Sequence, residues 1–460
     1  MKKNDNINVV INNYGCNAEG VARFDGKTVF VPYSLVGENV DATIIKDNST
    51  FCIGKITNIK NKSKERVEPV CPYFAKCGGC NLQHTNYQNS LDIKTQIVQN
   101  AITNIGKIDY TIPKTKPSPK QYHYRNKVAF PINPKTRKVG MYRLSSHKIV
   151  DIDNCPLQKD LINNLIETMN QYLAKTKNTI YDDDTKKGLL KTVVAREIDN
   201  KLLITLVING KELLDKNQFV EIISQNFDNV GISLNINQLN NNVILTDKFE
   251  NIYGNNEIEL EEFGIKYKIN NQSFLQVNDE VKREMYQKIF DEIDGSVVVD
   301  AYSGAGLLSA MMAKHAKQVF GIEIIEEATK LADKLKEQNN IQNLTNINGN
   351  CAEELPKLLE SIKNSGNQNF GNTQNNDEKQ NNDLIVVLDP PRKGCDKKVL
   401  DSILSVSPAK IVYMSCDPST LARDLKILLD SNNYSIKYIE PYDMFPQTKH
   451  VETLAVLTRK

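Results

Sequence analysis

The fold class is decided by residues 297–310, VVVDAYSGAGLLSA. Three valines form a short apolar run typical of a buried strand, and Gly304 and Gly306 follow where the chain must turn tightly into a helix. The runs VFGIEI, LIVVLD and KIVYMSC repeat this order of apolar strand and helix-like sequence. From about residue 280 onward, the alternation predicts a doubly wound, mostly parallel α/β sheet.

Two of these strand ends carry residues suited to a nucleoside. Glu323 ends VFGIEI about twenty residues after the GAG turn, where a carboxylate can accept both ribose hydroxyls. A plain strand-to-helix turn would explain GAG alone, but the two features together indicate a nucleoside cofactor. A GAG element without GxGxxG suits S-adenosylmethionine better than a dinucleotide. Asp389 ends LIVVLD at the edge where such sheets bind ligands, although it could simply cap the next helix.

KIVYMSC delivers Cys416 to that same edge. An isolated cysteine after a strand is usually a small buried apolar residue. Here a helix predicted from about Ser419 would place its positive end beside the thiol and favour the thiolate. A thiolate that adds to carbon 6 of uracil lets carbon 5 accept a methyl group, and a base must then remove the carbon-5 proton. Glu452, in KHVETLAVL, is the candidate base; an exposed strand-end carboxylate is the alternative.

The remaining sequence predicts nucleic-acid contacts. The first sixty residues contain short strands, including a hairpin with an Asp25-Gly26 turn, and they predict a small closed β-barrel of the oligonucleotide-binding kind. Residues 111–150 hold ten Lys or Arg and no Asp or Glu. Aromatic residues such as Tyr122 lie among these cations, so the stretch could bind phosphates and stack on bases, or be merely a solvated basic face. A helix is predicted over residues 91–105.

Bulk composition limits the class of protein. The net charge of +2 argues against a chain that is basic throughout, and 460 residues predict two or three domains. The N-terminus does not resemble a signal peptide, and no apolar run could span a bilayer. We therefore expect a cytoplasmic protein without a membrane partner, and nothing indicates an obligate protein partner. Nine cysteines in such a chain favour metal binding or catalysis over disulfides.

With these residues in view, the chain resembles the RNA uracil-5-methyltransferases, a family that includes the bacterial 23S ribosomal RNA enzymes. The N-terminal stretch NYGCNAEGVARFDGKTVFVPYSLVGENV is similar to the family's TRAM domain, an RNA-binding β-barrel. Six further motifs match in order: NQSFLQVN, DAYSGAG, GIEI, LDPPRKG, SCDPSTLARD and HVETLAVL. The resemblance covers nearly the whole chain.

The resemblance implies roles at the matching positions. Cys416 would be the nucleophile and Glu452 the base, with Asp389 bordering both ligands. The implied cofactor-binding residues are Gln276, Tyr302, Gly304, Glu323, Asn350 and Asp389, and Gln276 would lie between the cofactor and uracil. The RNA-binding candidates are Tyr122, Arg125 and Lys127, the last two in an RNK-type motif. One departure is Asp417, where many members have Asn, and an acid there could raise the pKa of the thiol.

Cys71, Cys77, Cys80 and Cys155 resemble the family's ligand set for a [4Fe-4S] cluster. Four thiolates can hold such a cluster or a structural zinc, and spacing does not decide strictly between them. Three clustered cysteines plus a distant one favour the cluster. The CxxxCxxC motif of radical enzymes is absent.

The resemblance also implies the fold and the reaction. We expect an α/β protein with an oligonucleotide-binding-like barrel at 1–62 and a central α+β iron-sulfur domain at 63–265. A Rossmann-like methyltransferase domain with a seven-stranded, mostly parallel sheet should follow at 266–460, interrupted by a disordered Asn/Gln-rich insertion at 364–382. The expected reaction is 5-methyluridine formation in 23S ribosomal RNA, with the transfer RNA T-loop as the alternative substrate.

Other classes remain as alternatives. A cytosine-5 RNA methyltransferase would need a Pro-Cys pair, whereas this chain has Ser415-Cys416. A non-catalytic RNA-binding iron-sulfur protein would leave Cys416 and Glu452 without a purpose. A small-molecule methyltransferase would leave the barrel unexplained.

Overall fold

The computed structural model describes residues 2–365 and 384–460. The tract predicted as an insertion at 364–382 lies outside the described residues, apart from its first two positions, which end a helix.

The N-terminal β region forms one sheet of six strands among the described residues. These are β1 Asn6–Val10, β2 Asn13–Tyr14, β3 Gly20–Phe24, β4 Lys27–Val31, β5 Asn39–Asp47 and β6 Phe51–Asn61, in the order β1-β5-β6-β4-β3-β2. The β3–β4 turn has φ values of 49° at Asp25 and 74° at Gly26, as a two-residue hairpin with both central residues left-handed requires. Alternate residues such as Val29, Val40 and Ile44 are buried inside.

The central part is a mixed sheet with helices on one face. Helix α1 Tyr87–Asn104 precedes this sheet in the chain. The elements of the central part are β7 Lys127–Asn133, β8 Lys138–Tyr142, β9 Ile149–Asp151, α2 Asp160–Lys175, β10 Leu190–Ile198, β11 Lys201–Ile208, α3 Lys216–Ser224, β12 Val230–Ile236 and β13 Phe249–Tyr253. The strand order is β13-β12-β11-β10-β7-β8-β9. Helices α2 and α3 bury their apolar faces against the sheet. A separate hairpin follows, β14 Ile258–Glu262 and β15 Ile265–Ile269.

The C-terminal part confirms the expected α/β architecture. Its elements are α4 Asp279–Ile293, β16 Val297–Asp300, α5 Leu307–Met312, β17 Gln318–Glu323, α6 Glu326–Gln338, β18 Leu344–Asn348, α7 Cys351–Ser365, β19 Leu384–Leu388, α8 Lys397–Val406, β20 Lys410–Ser415, α9 Pro418–Asp430, β21 Tyr434–Tyr442 and β22 Glu452–Arg459. In the described residues the strand order is β18-β17-β16-β19-β20-β22-β21. Strands β16 to β20 pair in parallel, and β21 and β22 run antiparallel at one end. The carboxyl ends of the parallel strands therefore share one edge.

Packing between these parts crosses the domain limits drawn from the sequence, which stay predictions. Helix α1 covers the C-terminal sheet, since Val98 and Ile102 belong to the same apolar core as strands β19 and β20. The hairpin β14–β15 packs on the opposite face of that sheet through Ile258 and Ile265. Apolar residues on both faces of a parallel sheet must be covered, which explains why the sheet recruits elements from outside it.

Within the two described ranges, no helix has the length and apolar composition needed to cross a bilayer.

Candidate active site

The turn after β16 forms a left-handed loop beside Glu323. Gly304 and Gly306 have φ values of 54° and 76°, which glycine adopts without strain. A Cβ on Gly306 would come within 2.5 Å of Ala332, whereas one on Gly304 would meet nothing within 4 Å. The Gly304 N–H donates to Glu323 Oε2 at 3.0 Å, and the Ile325 N–H donates to Oε1 at 2.8 Å. Gly304 therefore leaves open space beside a fixed carboxylate, as a nucleoside site requires.

Asp300 ends β16 with an unused acceptor. Its Oδ2 accepts a 2.6 Å hydrogen bond from Ser309, while the buried Oδ1 has no hydrogen-bond partner in the described part of the chain. Burial, the largest cause, raises its pKa to about 6. Because a buried polar atom without a partner is costly, this oxygen fits a ligand that brings a donor.

Two other predicted cofactor residues flank this loop. Tyr302 is half-buried and packs against the apolar core beneath the sheet edge. Asn350 is exposed and immediately precedes α7, and its Oδ1 accepts from the Ala352 N–H at 3.0 Å. The neighbouring Gly349 donates to the Glu323 carbonyl at 2.9 Å, so Asn350 lies beside the strand end that carries Glu323.

The structure brings Asp389, Cys416 and Glu452 together at the carboxyl edge. Glu452 begins β22 and is only 4% exposed. Burial chiefly raises its pKa to about 8, with Asp389 raising it further and Arg392 opposing. Burial, and then Asp300, raises the pKa of Asp389 to about 7. Carboxyl groups whose pKa lies near neutrality are suited to proton transfer.

Cys416 does not behave as the sequence suggested. We expected the start of the next helix to stabilise the thiolate, but the pKa of the thiol is raised. Its removal from water is the largest cause, and the Glu452 carboxylate adds to it. Both contributions oppose ionisation of the thiol. A helix terminus contributes only about 1 kcal/mol, which burial beside a carboxylate can outweigh.

Arg392 is a site residue that sequence reasoning missed. It lies in the LDPPRKG motif, which contributed only to the family resemblance. Its positive charge lowers the pKa of the Cys416 thiol and that of Glu452. The only available signal was its position two residues after Pro390, at a strand end already assigned to the site.

Asp417 caps the helix that follows Cys416. It is the N-cap of α9, and its Oδ1 accepts from the backbone N–H groups of Ser419 at 2.8 Å and Thr420 at 3.4 Å. The principal influences on the pKa of Cys416 are burial, Glu452, Arg392 and Asp389. The departure from Asn at this position thus preserves helix capping, because Asp and Asn cap equally well.

A lysine on helix α1 holds the loop before Glu452 in place. The buried Lys94 ammonium donates to Asp443 Oδ1 at 2.5 Å, to the Phe445 carbonyl at 3.0 Å and to the His450 carbonyl at 2.7 Å. Burial, followed by the charge of Arg392, lowers the pKa of His450 to about 4. His450 is therefore neutral at physiological pH, and Glu452 remains the better candidate for a base.

The backbone around Gln276 contacts the predicted RNA-binding segment that contains Arg125 and Lys127. Gln276 is 9% exposed, and its carbonyl accepts from the Asn126 side chain at 3.2 Å. Arg125 and Lys127 flank Asn126 and are both partly exposed. Tyr122 precedes this segment and lies near the cysteines. Burial raises its pKa, and the thiols of Cys80 and Cys71 raise it further.

Phe274 is a second residue that the sequence reasoning did not single out. Its side chain is 81% exposed, two positions before Gln276. Singly exposed apolar side chains are common on protein surfaces, so only its position near Gln276 makes Phe274 a candidate for contact with a ligand.

The four predicted ligand cysteines are near enough for their charges to affect one another's ionisation. After burial, the neighbouring thiols raise the pKa values of Cys77, Cys80 and Cys155, and these interactions link every pair of the four, Cys71 included. The Gly79 N–H donates to Cys77 Sγ at 3.3 Å, and the Gln83 amide donates to Cys80 Sγ at 3.2 Å. In the described ranges no three His, Cys, Asp or Glu side chains meet as a group that could hold a metal ion.

Comparisons with known proteins identify the family of the chain. A family model described as tRNA (uracil-5-)-methyltransferase matches residues 86–460, and the TRAM domain matches residues 2–57. An uncharacterized RNA methyltransferase of Clostridium acetobutylicum is 37% identical over 470 residues, covering 100% of this chain and 98% of its own. Another, from Caldanaerobacter subterraneus, is 36% identical over 472 residues, covering 100% and 99%.

A solved structure shares the whole fold. It is the Pyrococcus abyssi tRNA (uracil-54, C5)-methyltransferase in complex with S-adenosyl-L-homocysteine, with a TM-score of 0.75 and 24% identity. The match covers 98% of this chain and 100% of that chain. At this identity the likeness establishes a common architecture.

Proposed function

Because the chain belongs to the tRNA (uracil-5-)-methyltransferase family and carries a TRAM domain, we propose that it methylates carbon 5 of a uridine in 23S ribosomal RNA. The observation that supports the proposed chemistry is the proximity of Cys416 to Glu452, Asp389 and Arg392 at one sheet edge; it does not by itself identify the RNA. A nucleophile and a base that lie near each other have no use in a purely RNA-binding protein. A ribosomal RNA substrate implies a cytoplasmic location.

The residues suited to hold S-adenosylmethionine are Gly304, Glu323, Tyr302 and Asn350, with Asp300 offering its unpaired oxygen. This cofactor supplies an electrophilic methyl group. Glu323 is already fixed by two backbone N–H groups, so it can bind a ribose without first reorganising.

Cys416 and Glu452 perform different steps of the reaction on the uracil ring. The Cys416 thiolate adds to carbon 6 of uracil, and the electrons of the C5–C6 double bond move toward carbon 5 and the O4 carbonyl. Once carbon 5 carries the methyl group, Glu452 removes the proton from carbon 5. The double bond re-forms and the thiolate leaves, which restores the enzyme.

Arg392 and Phe274 support the approach of RNA. The target uridine must leave its stack to reach Cys416, at a cost of a few kcal/mol. Arg392 and Arg125 both place positive charge near His450 at this edge, where phosphates can be bound. We propose that the exposed ring of Phe274 stacks on an RNA base beside the flipped uridine.

The pH dependence follows from the raised pKa values. Glu452 and Cys416 must both lose a proton before they act, and Glu452 has a pKa of about 8. Because two protons must be lost, we expect kcat/KM for RNA, which reports the free enzyme, to rise by up to about a hundredfold per pH unit below pH 8. Initial rates from pH 6 to 9, with RNA affinity measured in parallel, test this. A rate that is flat between pH 6 and 8 at constant affinity would contradict the assigned base.

We propose further that Cys71, Cys77, Cys80 and Cys155 hold a [4Fe-4S] cluster with a structural role. All four thiols interact with one another, and two of them accept N–H donors, an arrangement that tunes iron-sulfur sites. The cluster would join residues 71–80 to the loop before α2.

Metal analysis of anaerobically purified protein tests the cluster. We expect about four iron and four acid-labile sulfide per chain, lost in Cys80→Ser. The matched control is Cys52→Ser, a buried thiol of the N-terminal sheet, which should keep its iron. One zinc per chain instead of iron would show that the cysteines form a zinc site.

Transfer RNA is the second candidate substrate. The Pyrococcus abyssi structure is that of a transfer RNA enzyme and matches this chain over its N-terminal sheet as well. The N-terminal sheet alone therefore does not separate the two substrates.

The test is methylation of unmodified transcripts with methyl-labelled S-adenosylmethionine. We expect 5-methyluridine in the 23S ribosomal transcript and none in transfer RNA. Label in transfer RNA alone would keep the chemistry and change the substrate. Label in neither, with folded protein that binds the cofactor, would reject both.

A further inference from the structure

Asn126 joins the predicted RNA-binding segment to the segment that carries Gln276. Asn126 is 0% exposed. Its amide Nδ2 donates to the Gln276 carbonyl at 3.2 Å and to Asp279 Oδ1 at 3.1 Å. Its backbone N–H donates to the Val277 carbonyl at 3.1 Å. Three hydrogen bonds from one residue thus set the position of residues 276–279.

The other side of Asn126 is tied to the central sheet and to the surface. Its carbonyl accepts from the Glu197 N–H at 2.9 Å, at the end of β10. Its two neighbours, Arg125 and Lys127, are partly exposed cations. The Arg125 Nε–H donates to the Lys127 carbonyl at 3.1 Å, which closes the backbone around Asn126. An anion that binds these cations therefore acts on the same short backbone segment that holds Asn126 in place.

The Gln276 segment has a second link to the central sheet that does not involve the cations. Asn271 is 3% exposed, and its amide donates to Thr205 Oγ1 at 2.9 Å and to the Val194 carbonyl at 3.3 Å. This link lies five residues before Gln276 and contacts neither Arg125 nor Lys127. It holds the same segment through β10 and β11, although β10 itself pairs with the strand that begins at Lys127.

We infer that Asn126 is a positioning residue that couples RNA binding at Arg125 and Lys127 to cofactor binding beside Gln276. The inference rests on the proposed function and deepens it, because it assigns an order of assembly to the same site. Phosphate contacts on either side of Asn126 hold its amide against the Gln276 carbonyl, and the cofactor then meets a segment already in place. Cofactor binding stabilises the same arrangement for RNA.

Such coupling is reciprocal and has a characteristic size. If RNA tightens cofactor binding by some factor, the cofactor must tighten RNA binding by the same factor. Couplings between two sites are typically about 5- to 150-fold. A loss of fold stability that weakens both ligands alike leaves this ratio unchanged, so the ratio separates positioning from general damage.

The experiment measures the Kd of S-adenosylhomocysteine by calorimetry, with and without the RNA transcript that the enzyme methylates. The unmodified protein should show a Kd at least about fivefold lower with RNA. Asn126→Ala should bring this ratio close to one, and Asn126→Ser serves as a second variant if the first does not fold. Asn271→Ala is the matched control, since it removes an equally buried amide from the same segment and should keep the ratio.

Each outcome has a distinct meaning. A ratio that survives in Asn126→Ala, or is lost equally in Asn271→Ala, would overturn the role of Asn126. A ratio of one in the unmodified protein, with both ligands bound, would overturn the coupling but leave the proposed function standing. Failure to bind S-adenosylhomocysteine or either RNA at all would instead count against the proposed function.

Discussion

Replacing Cys416 with Ala abolishes formation of 5-methyluridine, with an expected fall in turnover of at least about 10⁴-fold, as for other covalent nucleophiles. Without the thiol, carbon 5 of uracil is too weak a nucleophile to accept a methyl group. The residue sits between β20 and α9 and is partly exposed, so its loss should not disturb the core. Single-turnover methylation with labelled cofactor and excess enzyme measures the effect.

The control for this variant is Cys16→Ala. Cys16 is an exposed residue in the N-terminal sheet region. The pKa of its thiol is raised by partial removal from water, then by Glu19, and to a smaller extent by Asp417. It should retain nearly full activity, because its thiol contacts no part of the proposed chemistry. More than about a hundredth of normal activity in folded Cys416→Ala would mean that the methyl transfer does not use this nucleophile.

Replacing Glu452 with Gln leaves RNA covalently attached to the protein. The amide cannot take the carbon-5 proton, so methylation proceeds while elimination of Cys416 stalls. Loss of a general base slows turnover by about 10²- to 10⁴-fold. A denaturing gel should therefore show a protein–RNA band that carries the methyl label, which the unmodified enzyme forms only transiently.

The fold should tolerate this change. Burial raises the pKa of Glu452 to about 8, so the site already favours a neutral group, and Gln is neutral at every pH. The double variant with Cys416→Ala must show no band, because no thiol remains to attach. Normal product release from Glu452→Gln without a covalent band would assign proton removal to another group, with Asp389 the first to examine.

The sequence alone determined the elements whose signal is local. Each buried parallel strand is a short apolar run, and the polar residue that ends it must lie at the carboxyl edge, so the order of residues was enough to assign Glu323, Asp389 and Cys416 to one edge. The Asp25-Gly26 turn was equally legible, because only a few residue types adopt two successive left-handed conformations. The family motifs, being contiguous, were visible as well.

The limits of the sequence show at residues whose role depends on distant neighbours. Arg392 lay inside a recognised motif, yet its action on Cys416 depends on how the loop after β19 folds back toward β20. Lys94 looked like an ordinary helix residue, although it is fully buried and anchors the loop before Glu452. The packing of α1 on the C-terminal sheet was not expected either.

Only the tertiary structure decided the electrostatics of the site. A local pattern suggested a stabilised thiolate at Cys416, but folding partly buries that thiol and places it near the Glu452 carboxylate, and both effects raise its pKa. The link from Asn126 to Gln276 spans 150 positions in the chain. Burial and long-range contact are properties of the packed chain, and no run of neighbouring residues records them, because the strength of a charge or hydrogen bond depends on what the fold places around it.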